Sequence, residues 1–118
     1  MDREGRGLGF LAAMAILQFL RLRFHNKYII AFVGNRKTTQ HAEASSVEAA
    51  LRDRMPKTNS LQAAELVGFT LAERMRKKQM LRARFNMEAE IAEKAPKFHS
   101  HIKVITDTLR KNGISLLS

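Results

Sequence analysis

The chain has no cysteine among its 118 residues. It therefore builds neither a disulfide framework nor the cysteine-ligated zinc sites of fingers and ribbons. It carries no phosphate-cradling P-loop, no dinucleotide fingerprint and no nucleophile elbow, so the local signatures of nucleotide-dependent and acyl-transfer enzymes are missing. Internal repeats and low-complexity tracts are also missing. The apolar run Leu8 to Leu17 is shorter than the roughly 20 residues a membrane-crossing helix needs. Acidic residues are scarce, 11 Asp and Glu against 21 Lys and Arg.

That imbalance gives a formal charge of +10. Self-repulsion on so short a chain calls for a polyanion, with nucleic acid first and an anionic membrane surface second. The hydrophobic fraction of 45% is that of a folded protein, and the length suits one core. We expect one domain over residues 19–118 after an apolar extension over residues 1–18. In the extension, Arg3 and Arg6 precede the apolar run. It reads as a packed helix, as a targeting-like segment, or as an interfacial membrane contact.

Alternation predicts a strand over Phe19 to Phe24, with Leu20, Leu22 and Phe24 inward and Arg21 and Arg23 outward. His25-Asn26-Lys27 is a polar turn. Tyr28 to Val33 is apolar and rich in β-formers, which predicts a central strand covered on both faces. After the turn signal Gly34-Asn35, Lys37 to Ala44 should pair back as a third strand. Ser45 and Glu48 are spaced as a capping box for a helix from about Ser46 to Arg54, which Pro56 ends. Ser60 should cap a second helix running to about Lys78. Its stripe of Leu61, Ala64, Val67, Gly68, Leu71, Ala72 and Met75 faces the core, with Gly68 allowing close approach to the sheet. A fourth strand is expected over Met80 to Met87, with Leu81, Ala83, Phe85 and Met87 on one face. Glu88 to Pro96 reads as a surface loop or a short helix. Ser100 should cap a last helix that buries Ile102, Ile105 and Leu109 and stops at Gly113. Ile114 to Leu117 reads as a short strand or tail. The predicted fold is an α+β sandwich, β-β-β-α-α-β-α, with one mostly antiparallel sheet and helices on one face.

Two basic sets stand out. Arg21, Arg23, His25, Lys27, Arg36 and Lys37 fall on the first two strands and their turns, where they could converge on one sheet edge. Asn26 and Tyr28 lie among them and can meet RNA sugars and bases. The competing explanation is a charged edge that blocks aggregation. Arg74, Arg76, Lys77, Lys78, Arg82 and Arg84 form the second set, either a phosphate-binding strip or a solvated helix end. His99 and His101 lack further ligands for a metal. No metal, cofactor or small-molecule substrate is implied, and no catalytic constellation is present.

Ala44-Ser45-Ser46-Val47-Glu48, Val67-Gly68 with Ala72-Glu73-Arg74, and Phe98-His99-Ser100-His101-Ile102-Lys103 with Asp107, Arg110 and Gly113 follow one another in a telling order. With Arg21-Leu22-Arg23-Phe24-His25-Asn26-Lys27-Tyr28, that order resembles the bacterial-type L-eighteen family of large-subunit ribosomal proteins, which bind 5S ribosomal RNA. The resemblance spans about Leu20 to Leu117. It implies a structural, non-enzymatic protein whose partners are 5S and large-subunit ribosomal RNA and neighbouring ribosomal proteins. The implied RNA contacts are Arg21, Arg23, His25, Asn26, Lys27, Arg36, Lys37, His99, His101 and Lys103, with Lys57 from the loop between the first two helices. The chain departs from the family in three places. Its basic N-terminal arm is replaced by the apolar run, its Gly-Arg pair by Ser100-His101, and its usual Asp-Arg is missing from Glu88 to Pro96. These departures imply a diverged organellar version, mitochondrial by preference, with plastid or bacterial cytoplasm as alternatives. An organellar intron-splicing role and a peripheral membrane role are the competing functions.

Overall fold

The computed structural model describes residues 18–35, 41–53 and 59–117. The expected contacts Arg36, Lys37 and Lys57 lie outside these, as do residues 1–17, the start expected for the third strand, and Pro56. Alternation sets the first hairpin. In β1 (Phe19–Phe24) Leu20 and Leu22 are buried and Arg21 and Arg23 exposed. β2 (Ile29–Gly34) runs antiparallel to it, and β3 (His41–Ser45) antiparallel to β2. Leu22 lies opposite Ala31, which lies opposite Ala44, so small and branched apolar residues fill one face.

A short helix α1 (Ala49–Arg52) follows, then the long α2 (Leu61–Lys77), β4 (Arg82–Arg84), α3 (Met87–Glu93), a 3₁₀ turn (Pro96–Phe98), α4 (His99–Lys111) and β5 (Ser115–Leu117). The sheet order is β3-β2-β1-β4-β5. The longer pairings are antiparallel, while β4 joins β1 and β5 joins β4 in parallel. The α+β class is therefore observed, with a mixed sheet. β1 is central rather than β2. A local pattern does not show that β4 returns to the free side of β1, where the Arg84 amide donates to the Gln18 carbonyl at 2.8 Å.

Val67, Leu71 and Met75 of α2 and Ile102, Ile105 and Leu109 of α4 are fully buried over the inner sheet face. Gly68 does serve a close approach, but to α4 rather than to the sheet. A Cβ there would lie 3.1 Å from Thr108 Cβ and 3.2 Å from the Ile105 carbonyl oxygen. Ser60 caps α2 as expected, its Oγ accepting from the Ala63 amide at 3.1 Å. α4 ends in a Schellman turn, with Gly113 at φ 90 and the Ile114 amide donating to the Leu109 carbonyl. α2 ends the same way around Gln79 at φ 60, where the Met80 amide donates to the Met75 carbonyl.

Several expectations need correction at element ends. Leu61 and Leu81 are exposed because each precedes its element's first inward position. β4 has three residues, since Asn86 leaves the strand to cap α3, its Oδ1 accepting from the Ala89 amide at 3.1 Å. α4 begins at His99 without a side-chain cap, because the 3₁₀ turn runs straight into it; Ser100 sits within its first turn. Finally, α3 borders the outer face of the sheet, so not every helix lies on one side.

Candidate nucleic-acid interface

The outer face of β1 presents Phe19, Arg21 and Arg23, with Phe32 opposite Arg21 and Ile30 opposite Arg23 on β2. Arg82 and Arg84 extend the exposed basic surface on β4. Arg21 and Arg23 form no ion pair among the described residues. They line a groove of about 750 Å³ with Phe32 and Phe98, and its far wall includes Glu90 and Glu93 of α3. Lys94 sits 3.3 Å from Glu90 and partly neutralises that wall. The two arginines thus lie on the face of the central strand, not on a sheet edge.

Beyond β1, the chain turns through His25 to Tyr28. The His25 amide donates to the Tyr28 carbonyl at 2.9 Å, and the two rings stack with centroids 4.6 Å apart. Two distant residues, Asn59 and Lys97, are hydrogen-bonded to this turn, and His101 joins through Asn59. Asn59 Nδ2 donates to the Asn26 carbonyl at 2.6 Å, and Lys97 Nζ donates to Asn26 Oδ1 at 3.3 Å. His101 Nε2 lies 2.7 Å from the Asn59 carbonyl, an acceptor only, so that nitrogen carries the proton. Phe24 stacks on Phe98 at 5.0 Å, and the His101 ring meets both edge-on at 6.0 and 5.7 Å. The structure therefore brings Asn26 together with the start of the last helix.

The remaining expected residues divide. His25, Asn26, Lys27 and Lys103 are exposed. His99 is half-buried, with Nε2 3.2 Å from the Lys94 carbonyl. Lys97 and Asn59 are additions that sequence reasoning misses. Lys97 left a signal in Pro96-Lys97-Phe98, a cation beside an aromatic whose ring its Nζ approaches to 5.1 Å. Asn59 left none, because a loop residue carries no periodicity.

The second basic set comes apart. Arg74 donates to the Glu48 carboxylate at 2.8 and 3.0 Å and to the Glu43 carbonyl at 2.7 Å. Lys78 reaches the His41 carbonyl, while Arg76 and Lys77 are exposed. Glu48 also accepts from the Ser45 amide at 2.8 Å, completing half of the expected capping box. The other half is replaced, since Ser45 Oγ accepts from Val47 at 3.3 Å and α1 starts only at Ala49. Ser46 is fully buried, its Oγ accepting from the Ile29 amide at 2.9 Å. The Ala44–Glu48 and Ala72–Arg74 blocks thus meet in one contact.

Among the described residues no cluster of three or more His, Asp or Glu could hold a metal, and no helix is long and apolar enough to cross a membrane. No family model matches the chain. Individual relatives do. The chain is 32% identical over 73 residues to the large ribosomal subunit protein uL18 of Nitrosococcus oceani, covering 62% of this chain and 57% of that protein. That alignment spans less than two thirds of the relative. The protein of the same name from Caldicellulosiruptor saccharolyticus is 28% identical over 89 residues, covering 75% of this chain and 67% of the relative. The uL18 of Nitrosospira multiformis is 29% identical over 106 residues, covering 87% and 85% respectively. Alignments to three proteins of one name, one of them over 87% of this chain, agree with an α+β fold in which the two resemblance blocks touch, and over most of its length the chain is similar to the large ribosomal subunit protein uL18.

Proposed function

We propose that this chain is a structural constituent of the large ribosomal subunit that binds 5S ribosomal RNA through the outer sheet face and the turn beyond it. One observation carries the proposal: the β1–β2 turn and the 3₁₀ turn that leads into α4, 71 residues apart between Asn26 and Lys97, are hydrogen-bonded into one exposed surface. Arg21, Arg23, Lys97 and Lys103 supply phosphate contacts, and Lys27 joins them. Asn26 and the His25–Tyr28 pair offer amide and ring surfaces to sugars and unpaired bases. Arg36, Lys37 and Lys57 are proposed contacts on sequence alone. The role is positional, with no chemistry performed on the RNA. Large-subunit ribosomal RNA and neighbouring ribosomal proteins complete the proposed partners. The setting is an organellar ribosome, mitochondrial by preference, because the apolar run behind Arg3 and Arg6 stands where the family has a basic arm.

Filter binding to 5S RNA across a salt series tests this. The affinity should fall steeply with salt, and removing one cation that neutralises a phosphate should reduce the log–log slope by about 0.7 to 0.9. The double variant Arg21→Gln/Arg23→Gln should therefore lose up to about two units of slope. Binding indifferent both to salt and to replacement of 5S by an unrelated RNA sinks the proposal.

A further inference from the structure

We infer that His101 acts as a neutral positioning residue that holds the RNA-facing turn in shape, and not as a cation that meets phosphate. The inference rests on the RNA-binding reading of the surface. It bears on a place where this chain departs from the family it resembles, since the resemblance puts arginine at this position.

Three contacts fix the ring. Its Nε2–H donates to the Asn59 carbonyl at 2.7 Å, and its edges pack against Phe24 of β1 and Phe98 of the 3₁₀ turn. Its other nitrogen, Nδ1, is buried with no hydrogen-bond partner. A second ring proton there would be a buried donor with no acceptor, an arrangement proteins avoid. The only polar hydrogen that a neutral ring offers is already committed to Asn59, so none is left for a phosphate. Asn59 passes the constraint on, because its Nδ2 donates to the Asn26 carbonyl at 2.6 Å. Asn26 is fixed on its other side by Lys97. His101, half-buried with its Nδ1 out of reach of solvent, thus determines through Asn59 where the exposed Asn26 sits. Holding a binding surface in its bound shape lowers the ordering cost of association.

The test uses the full chain, 5S RNA and a salt series. His101→Phe keeps an aromatic ring and removes the donor; His101→Gln keeps a donor near the Nε2 position; Asn59→Ala keeps the carbonyl and removes the link to Asn26. His101→Phe and Asn59→Ala should each weaken binding about three- to tenfold, the effect of removing one hydrogen bond, with the salt slope unchanged. The double variant should be no weaker than either single one, because both break one chain of contacts. His101→Gln should recover most of the affinity, and ring-nitrogen NMR should show the Nε2–H tautomer with and without RNA. Should His101→Phe fail to fold, Asn59→Ala and the NMR measurement carry the test. Three results overturn the inference: a slope about one unit smaller in His101→Phe with recovery by His101→Arg but not His101→Gln, a doubly protonated ring in the complex, or unchanged affinity in both single variants. Salt-indifferent, unselective binding by the unaltered chain would instead overturn the RNA-binding reading, so the two failures are distinguishable.

Discussion

Replacing Ser46 with alanine removes one oxygen atom from a site that water does not reach. Ser46 and Ile29 are both 0% exposed. Ser46 Oγ accepts from the Ile29 amide at 2.9 Å, and the Ser46 amide donates back to the Ile29 carbonyl at 3.0 Å. This reciprocal pair ties the start of β2 to the segment leaving β3. The alanine variant leaves the Ile29 N–H buried without an acceptor, which costs about 1–3 kcal/mol. Unfolding entropy near about 2.1 cal/mol/K per residue makes each kcal/mol worth roughly 4 °C in a chain of this length, so Tm should fall by roughly 4–12 °C.

The neighbouring serine is the control. Ser45 Oγ accepts from the Val47 amide at 3.3 Å in an exposed position, so water replaces it. Ser45→Ala should cost no more than about 0.5 kcal/mol. Two adjacent serines of one motif therefore differ severalfold in consequence. Thermal unfolding by circular dichroism, with urea titration as a second measure, resolves the difference. Equal melting temperatures for the two variants would refute the assignment of Ser46 as a buried acceptor.

Other substitutions probe the rest of the frame. Gln79 adopts φ 60, which disfavours any side chain, so Gln79→Gly should raise stability by about 0.5–1 kcal/mol in urea unfolding; a decrease would show that the Gln79 side chain contributes more than its strain. Gly68→Ala gains about 1 kcal/mol of helix propensity but places a methyl 3.2 Å from the Ile105 backbone, an overpacking worth about 1–3 kcal/mol. A net destabilisation is expected, and a higher Tm would mean that α4 shifts aside easily. Arg74→Met removes the Glu48 pair, whose side chains are 39% and 33% exposed. Solvent screening limits that pair to about 1 kcal/mol or less, and the salt slope of RNA binding should not change; a fall in slope would return Arg74 to the phosphate surface.

Local physics makes much of this legible. Two-residue alternation places Leu20 and Leu22 inward and Arg21 and Arg23 outward, and that register holds in the sheet. Ser60 and Gly113 mark helix ends because capping depends on neighbours a few residues away. The departures from expectation are long-range or terminal. Nothing within Tyr28 to Val33 reveals that β1 will be sandwiched between β2 and β4, so its composition alone points to β2 as the centre. Extending a pattern one step past its element puts Leu61 and Leu81 inward, and both are exposed. α3 does carry a signal, Asn86 followed by Glu88 and Glu90 in the first turn, but without an apolar stripe that segment suits a loop as well as a helix. In the clasp around Asn26, the bonds from Asn59 and from His101 both end on backbone carbonyls, and a carbonyl has no letter in the sequence.

The distribution of the resemblance across the fold has a physical consequence. Ala44–Glu48 and Ala72–Arg74 meet through Glu48 and Arg74 and tie β3 and the turn after it to α2. Asn26, Asn59, Lys97 and His101 form a separate network that shares no residue with that contact. The resemblance blocks include the first network, whereas Ser100-His101, where the resemblance breaks, belongs to the second. The two should therefore respond independently. Weakening Glu48–Arg74 should lower Tm slightly with RNA affinity retained below the transition. Weakening the Asn26–Asn59–His101 network should lower affinity with Tm nearly retained, because its hydrogen bonds are exposed or part-buried. On the proposed reading, a chain can thus keep the frame it shares with the uL18 proteins while replacing a cation at the proposed binding surface with a neutral hydrogen-bond donor, provided that donor holds in place the groups proposed to face RNA.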